Sequence, residues 1–250
     1  MWPKDSVAQL LGIAHPIIQA PMSGVTTPEL AAAVSNAGAL GSLGCATMPG
    51  AAIREQIGKV RAATNRPFNV NFFVHAKPTA DAGATKRMHA SLAPYYAEFG
   101  LGAVPDPAEP FPPFSEDQLA AVLETRPRVV SFHFGLPAPE AVQRIKATGA
   151  LVISSATTVA EACELERRGA DIIVAQGAEA GGHRGTFSDD PGAGSVGTFS
   201  LVPQIVDAVK VPVIAAGGIA DGRGIAAAFA LGARGVQIGT AFLGAPEAAM

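Results

Sequence analysis

The sequence predicts an α/β fold, a (β/α)8 barrel of parallel strands, on three observations. Short apolar runs alternate with Ala-rich helical stretches at roughly 20–30-residue spacing, the length of a βαβ step. Alternating hydrophobicity within the runs is weak, which suits parallel strands buried on both faces. Eight candidate strands fit in 250 residues, the size of one barrel domain. An open doubly wound sheet shares the first two features; the count of strands favours closure.

Taken in order, Pro16–Ala20 reads as strand one. Thr27 caps the next helix, with Pro28 in its first turn, a run to Asn36 and Gly38 beyond the end. Leu40–Leu43 is a weakly patterned second strand, Pro49–Val60 a helix and Phe68–Phe73 strand three. Val129–Phe134 is strand four and Pro139–Ala147 its helix. Leu151–Ser154 is strand five, followed by Thr158 with Glu161 three residues on, a capping-box signal. That helix ends near Arg167–Arg168, where positive charge suits the C-terminal dipole, and Gly169 follows. Asp171–Ala175, Val211–Ala215 and Gly235–Ile238 complete the strands; Asp221 caps a helix through Ala230, with Gly232 ending it.

Residues 1–250 read as a single domain with excursions at about 76–115 and 177–197. The first holds a helical stretch, Arg87–Glu98, and a proline-rich loop expected to pass over one barrel face. The second, Gly-rich, follows strand six in the position of an active-site loop. After strand eight only Gly239–Met250 remain, too few for a loop and an eighth helix, so exposed apolar surface is expected there.

Composition narrows the functional classes. Hydrophobic residues make up 48%, charged residues 16% and the net charge is −3. The mean hydropathy is +0.28. No basic run suggests nucleic acid, and no charge-free apolar run reaches membrane-spanning length, so a cytoplasmic protein is expected. Cys45 and Cys163 lack metal-ligand spacing and read as reduced core or near-core thiols; no metal site is expected. The motifs G-x-S-x-G, HExxH and GxxxxGK[ST] are absent, which discounts hydrolase, zinc and P-loop readings.

Candidate chemistry gathers at the C-terminal strand ends, which form the catalytic face of a barrel. Gln19-Ala20-Pro21-Met22 ends strand one, Gln176-Gly177 follows strand six, Gly217-Gly218 strand seven and Gly239-Thr240 strand eight. Glycine-exposed amides there can hold a phosphate, with Gly181-Gly182 closing from the loop, especially if a short helix N-terminus points at it. Asn71 lies inside strand three, and its amide needs partners if buried: a cofactor ring edge or a neighbouring strand. Gln176 faces the same two readings. His133, near the end of VVSFHF, is expected to point away from Phe132 and Phe134 and to serve as a neutral base. His183, within GGHRG, competes for that role.

The segments PIIQAPMSGVTTPELAAAVSNAGALGSLG, FNVNFF, VVSFHFG, AQGAEAGGHRG and VIAAGGIADGRGIAAAFALGARGVQIGTAF resemble successive motifs of nitronate monooxygenases, formerly called 2-nitropropane dioxygenases. SFHFG with QGAEAGGHRG is similar to the class I branch. The resemblance implies an FMN-binding TIM barrel that oxidises alkyl nitronates with O2. Propionate 3-nitronate is the leading substrate, neutral nitroalkanes are further candidates, and the products are a carbonyl compound with nitrite and nitrate. It assigns Ala20, Pro21 and Met22 to the flavin lining and Asn71 and Gln176 to its ring or ribityl region. Gly181, Gly182, Gly217, Gly218, Gly239 and Thr240 go to the ribityl phosphate. His133 matches the base, and His183 a substrate-side or loop-ordering residue. Alternatives are an NAD(P)H-dependent FMN reductase of quinones or enoyl thioesters on the same barrel, and an inactive flavin-binding protein. The partners are small molecules, and the chain is expected to be a monomer or homodimer. Family members continue about a hundred residues further, so the C-terminal helix and cover segment read as truncated. A chain ending at Met250 is expected to bind FMN weakly and turn over poorly.

Overall fold

The computed structural model describes residues 2, 7–76, 80–108, 112–188, 192 and 194–249. In chain order the elements are α1 (Ala8–Leu11), β1 (Ile17–Gln19), α2 (Pro28–Asn36), β2 (Gly41–Gly44), α3 (Gly50–Ala63) and β3 (Phe68–Phe73). Then come α4 (Ala82–Glu98), α5 (Glu116–Thr125), β4 (Val129–His133), α6 (Pro139–Ala147), β5 (Leu151–Ala156) and α7 (Val159–Arg167). The chain ends with β6 (Ile172–Gln176), α8 (Thr198–Ala208), β7 (Val213–Ala216), α9 (Gly222–Ala230), β8 (Gly235–Ile238) and a 3-10 turn, Thr240–Gly244.

All eight strands are parallel and pair in the order β1-β8-β7-β6-β5-β4-β3-β2. A parallel bridge between Ile18 and Leu40 joins the two ends. There the Gln19 N–H donates to the Leu40 carbonyl, and the Leu40 N–H to that of Ile17, each at 2.9 Å. The buried Gln19 side chain adds a clasp, its Oε1 accepting the Ser42 N–H at 2.9 Å. This closes a (β/α)8 barrel and removes the open-sheet alternative.

Successive residues on each strand face lumen and helices in turn. The lower lumen is apolar: Ile18, Leu40, Val129, Ile153, Ile172, Val174 and Ile214 pack together, with Val7 and Leu11 in the same cluster. Toward the C-terminal ends it becomes polar, with Asn71, Ser131, Ser155 and Gln176 buried. This gradient concentrates hydrogen-bonding groups toward the C-terminal mouth. On the helix side, Phe72 and Phe132 pack against Phe114, with ring centroids 4.9 and 5.3 Å from it.

Several expectations need correction. Helices α5 and α8 were not anticipated. The first carries a capping box, with the Ser115 hydroxyl accepting the Gln118 N–H and the Gln118 side chain returning to the Ser115 N–H. The second starts at Gly197, whose residue type offers no side-chain cap, and contains Pro203. β8 is not left bare: Val236 is 0% and Ile238 7% exposed. Phe242, Ala245 and Ala248 pack with Leu30, Val34 and Ile17. A hollow of about 330 Å³ lined by Ile17, Ile225, Ile238 and Phe242 remains beside them.

Residues 76–113 form a compact unit separate from the barrel residues. Its helix α4 is capped by the Asp81 carboxylate, which accepts the Ala84 N–H, and buries no residue. No helix among the described residues is long and apolar enough to cross a membrane. Neither cysteine is in a disulfide; Cys45 is buried, which pushes its thiol up to about 12 against a hydrogen bond from the Asn71 backbone, and Cys163 is half-buried.

Candidate functional site

His133 closes β4, in register with Phe73 at the end of β3. Its ring is held at both nitrogens. Nδ1 lies 2.6 Å from the Ser155 hydroxyl on β5, and Nε2 lies 3.1 Å from the His183 carbonyl. Burial, the largest influence, pushes its pKa down to about 4; the nearby His183 and the Arg184 charge act the same way. The hydrogen bond to the His183 carbonyl and the charge of Glu161 oppose them. The imidazole is therefore neutral near pH 7, as a general base requires.

The expected orientation of His133 is half right. Phe132 does point to the helix side, but Phe134 does not stay on the strand: its φ of 69° turns the chain sharply. That turn brings the Phe134 ring edge-on to His133, with centroids 4.5 Å apart. Phe73 approaches from the other strand at 5.7 Å.

The loop after β6 is tied over the lumen by Gln176. Its Nε2 donates to the His183 carbonyl at 2.9 Å, and its Oε1 accepts the Gly185 N–H at 2.7 Å. Both ends of this predicted cofactor-binding amide are thus engaged by the loop. His183 contributes its carbonyl here; its exposed ring lies edge-on to Phe73 at 5.3 Å. Gly185 is there because the loop passes too close for a side chain. A Cβ would sit 2.7 Å from His133 Cε1 and 2.9 Å from Ser155 Oγ.

A second anchor escaped sequence reasoning. Glu161, 2% exposed, was expected to complete a capping box at Thr158. The Thr158 hydroxyl does accept the Glu161 N–H at 3.1 Å. The Glu161 carboxylate instead takes the Thr157 N–H and hydroxyl on Oε2, and the Phe187 and Ser188 N–H groups on Oε1, at 2.7–3.0 Å. A buried carboxylate with four donors is well satisfied, and it pins the loop to the start of α7.

Asn71 donates to the Ser131 hydroxyl at 2.9 Å, the neighbouring-strand partner considered above. Asn69, one lumen position below, donates to Ser42 and Ser131 at 3.2 and 2.9 Å, while its buried Oδ1 has no partner among the described residues. Gly239 lies against Ala20 and Met22: a Cβ there would be 3.4 Å from Ala20 Cβ and 4.0 Å from Met22 Sδ. Gly181 approaches Thr240 in the same sense, 3.2 Å from its Oγ1. Pro21 is half-buried, and Gly182, Gly218 and Thr240 are exposed. At Gly217, whose φ is 118°, a Cβ would sit 2.7 Å from Thr198 Oγ1 and 3.0 Å from Ala180 N.

The N-terminus of α8 is already taken. Glu179 accepts the Thr198 N–H and hydroxyl, each at 2.8 Å, supplying from 19 positions away the cap that Gly197 lacks. Burial by itself would raise this carboxyl; hydrogen bonds from the Thr198 and Glu179 backbone and the Thr198 hydroxyl, with the Arg184 charge, outweigh it and leave the pKa lowered. This helix N-terminus therefore already holds a carboxylate. Arg184 itself donates to the Gln176 and Gly177 carbonyls at 3.1 and 2.8 Å.

A cavity of about 490 Å³ lies at the opposite end, among the turns that precede β3 and β4, lined by Arg61, Arg66, Arg126 and Arg128. Arg61 and Arg128 there donate to backbone carbonyls, including those of Thr125 and Gly149. No histidine is among the residues lining it. Among the described residues, no group of three or more His, Cys, Asp or Glu is placed to hold a metal.

Comparison with known proteins agrees with the geometry. The nitronate monooxygenase family model matches residues 4–250. A nitronate monooxygenase of Paraburkholderia phytofirmans is 47% identical over 246 residues, covering 98% of this chain and 67% of that protein. One of Pseudomonas aeruginosa is 48% identical over 245 residues, covering 97% and 70%. A crystal structure of nitroalkane oxidase from Streptomyces ansochromogenes superposes with a TM-score of 0.87 at 40% identity, covering 97% of this chain and 70% of that one. The chain thus spans about two thirds of the length of these relatives. With a closed barrel, a neutral histidine at its mouth and a family match across nearly every residue, the chain belongs to the nitronate monooxygenase family.

Proposed function

We propose that this barrel oxidises alkyl nitronates with O2 using FMN, and that His133 extends the reaction to neutral nitroalkanes. The observation that carries the reading is His133 itself: neutral, half-buried and at the C-terminal mouth, beside the loop that covers the lumen. The residues fit FMN. Glycines cluster at the ends of β7 and β8 and in the β6 loop, and Gly182 has open space where a side chain would stand. Gly181, Gly182, Gly217, Gly218, Gly239 and Thr240 would surround the phosphate through their backbone. Ala20, Pro21 and Met22 would line the flavin, and Asn71 with the second amide N–H of Gln176 would meet its polar edge. When bound, FMN supplies the redox chemistry that takes electrons from the nitronate.

The chain's own groups do the rest. The apolar lower lumen closes the far end of the barrel, and Gln176 clasps the loop at the mouth. His133 takes the α-proton of a neutral nitroalkane, leaving the electron pair on the nitro group as the nitronate. An already ionised nitronate omits this step. Propionate 3-nitronate is the preferred substrate.

Oxygen uptake with propionate 3-nitronate, without pyridine nucleotide, tests the activity. NADH consumption with quinone and no nitronate oxidation would instead favour the reductase reading. His133→Asn tests the base: it should lose oxidation of neutral nitroethane far more than oxidation of ethyl nitronate. Equal rates for wild type and variant on nitroethane would remove His133 from that role.

A further inference from the structure

At the end of the barrel remote from the mouth, the turns before β3 and β4 enclose the hollow of about 490 Å³. Four arginines line it: Arg61 from the last turn of α3, Arg66, and Arg126 and Arg128 on either side of Pro127. Like charges around one hollow repel, and this concentration of cations occurs in a chain whose net charge is −3. Among the described residues, none of the four forms an ion pair. Glu124, two positions before Arg126, is held by Arg54 at 2.6 Å instead.

Two of the four have structural work. Arg61 donates to the Thr125 carbonyl and, at 3.4 Å, to that of Arg126, closing the C-terminus of α5. Arg128 donates to the Gly149 and Leu10 carbonyls at 3.2 and 3.3 Å. These bonds fix two guanidinium groups as walls and leave N–H groups to spare on each, since the fork carries five. Arg66 and Arg126 differ. Among the described residues they make hydrogen bonds through their backbones and not through their guanidinium groups. Arg126 also ends α5 in the left-handed region, at φ 47° and ψ 60°. Glycine is the ordinary occupant there, and a side chain is disfavoured. Phe134 shares this positive φ among the described non-glycine residues, and it packs on His133 at the mouth. At position 126 the strained backbone instead carries an unpaired cation to the rim of a cationic hollow.

The planar fork of a guanidinium takes oxyanion oxygens two at a time. A single phosphate or carboxylate would leave part of this set unanswered, whereas a chain of phosphates offers charge and oxygens along its length. The volume of about 490 Å³ lies within the roughly 300–1,000 Å³ of small-molecule sites. We propose that the hollow is a polyphosphate-binding site, with Arg61 and Arg128 as fixed walls and Arg66 and Arg126 as the free cations that engage the ligand. The ligand is an inorganic phosphate chain or the phosphate chain of a nucleotide. The six residues of β3 separate this site from the mouth, about 17 Å at 3.3 Å per residue. Its occupation therefore leaves the mouth free.

Titration calorimetry of the FMN-loaded protein with sodium tripolyphosphate in EDTA tests the site. One site is expected, with a Kd of about 100 μM or below at low salt. Raising KCl from about 20 to about 200 mM should weaken it by about fivefold or more. Arg126→Gly suits the left-handed backbone, so its Tm should hold or rise, while affinity for tripolyphosphate falls about tenfold or more. Arg66→Gln, at an exposed side chain, should lose affinity to the same degree with Tm unchanged. Orthophosphate should bind about tenfold more weakly than tripolyphosphate. ATP decides the source: affinity more than about tenfold above that of tripolyphosphate assigns a nucleotide, and equal or lower affinity the inorganic chain. Four results would each overturn the proposal: no binding of tripolyphosphate, wild-type affinity in both variants, orthophosphate as tight as tripolyphosphate, or binding to the apoprotein that FMN abolishes.

Discussion

Replacing Glu161 separates the anchoring of the β6 loop from the stability of the barrel. The two oxygens serve different regions: Oε2 holds Thr157, which is 0% exposed, and Oε1 holds Phe187 and Ser188, which water can reach. In Glu161→Gln the remaining carbonyl oxygen can stay on Thr157 with the NH2 turned to the loop. The loop N–H groups then pass to water, and the cost is about 1–2 kcal/mol, mainly lost charge assistance. In Glu161→Ala the Thr157 N–H is orphaned in a buried site, at roughly 1–3 kcal/mol, while the Thr157 hydroxyl keeps Thr186 Oγ1 at 2.9 Å. Added to about 1–2 kcal/mol for the loop, the loss comes to about 2–5 kcal/mol. At about 2–4 °C per kcal/mol for a chain of this size, Tm should fall by under about 8 °C in the first variant and clearly more in the second. Amide hydrogen exchange at Phe187 and Ser188 should accelerate in both, and nitroethane turnover should drop because the loop carbonyl no longer meets Gln176 and His133. Unchanged exchange at those two amides in Glu161→Gln would refute the anchoring role. Equal Tm losses in the two variants would refute the division of labour between the oxygens.

Other expectations follow from the same site. With burial holding His133 near pKa 4 against 6.5 in the unfolded chain, the folded enzyme stays neutral while the unfolded chain gains a proton. Folding stability from this group is therefore complete above about pH 6.5 and lost as pH falls toward 4, by about 3 kcal/mol. The acidic limb of kcat/KM for nitroethane should likewise lie near pH 4; an inflection near 6.5 would contradict the burial argument. Gly185→Ala drives a Cβ to within 2.7 Å of His133 and 2.9 Å of Ser155, so nitroethane turnover should fall at least about tenfold while urea unfolding changes little. Phe132→Ala should do the reverse, losing about 3–5 kcal/mol in urea unfolding because Phe132, 2% exposed, packs on the helix side. A loss under 1 kcal/mol would mean that the Phe72–Phe114–Phe132 cluster is not a tight core.

Much of the architecture was legible because its determinants are local. The helix from Pro28 to Asn36 with its Thr27 cap, the strand Phe68–Phe73 and the helix capped by Asp221 all emerge with the expected bounds. Each rests on periodicity or a cap within a few residues. Helix α5 has a local signature in the Ser115–Gln118 box, but the proline-rich stretch before it masks the signal. Helix α8 could not be read so easily, because its cap is Glu179, 19 positions upstream.

The sequence by itself determined the alternation of strands and helices, the glycines at the strand ends and the histidine at the end of β4. Only the tertiary structure decided closure, through Ile18 with Leu40 and Gln19 with Ser42. It also turned Phe134 back onto His133, sent the Glu161 carboxylate to the loop and set Ser155 against Nδ1. The physical reason is range. Backbone periodicity and capping are settled among neighbours in the chain, whereas a buried polar side chain goes wherever distant backbone donors and acceptors remain unsatisfied.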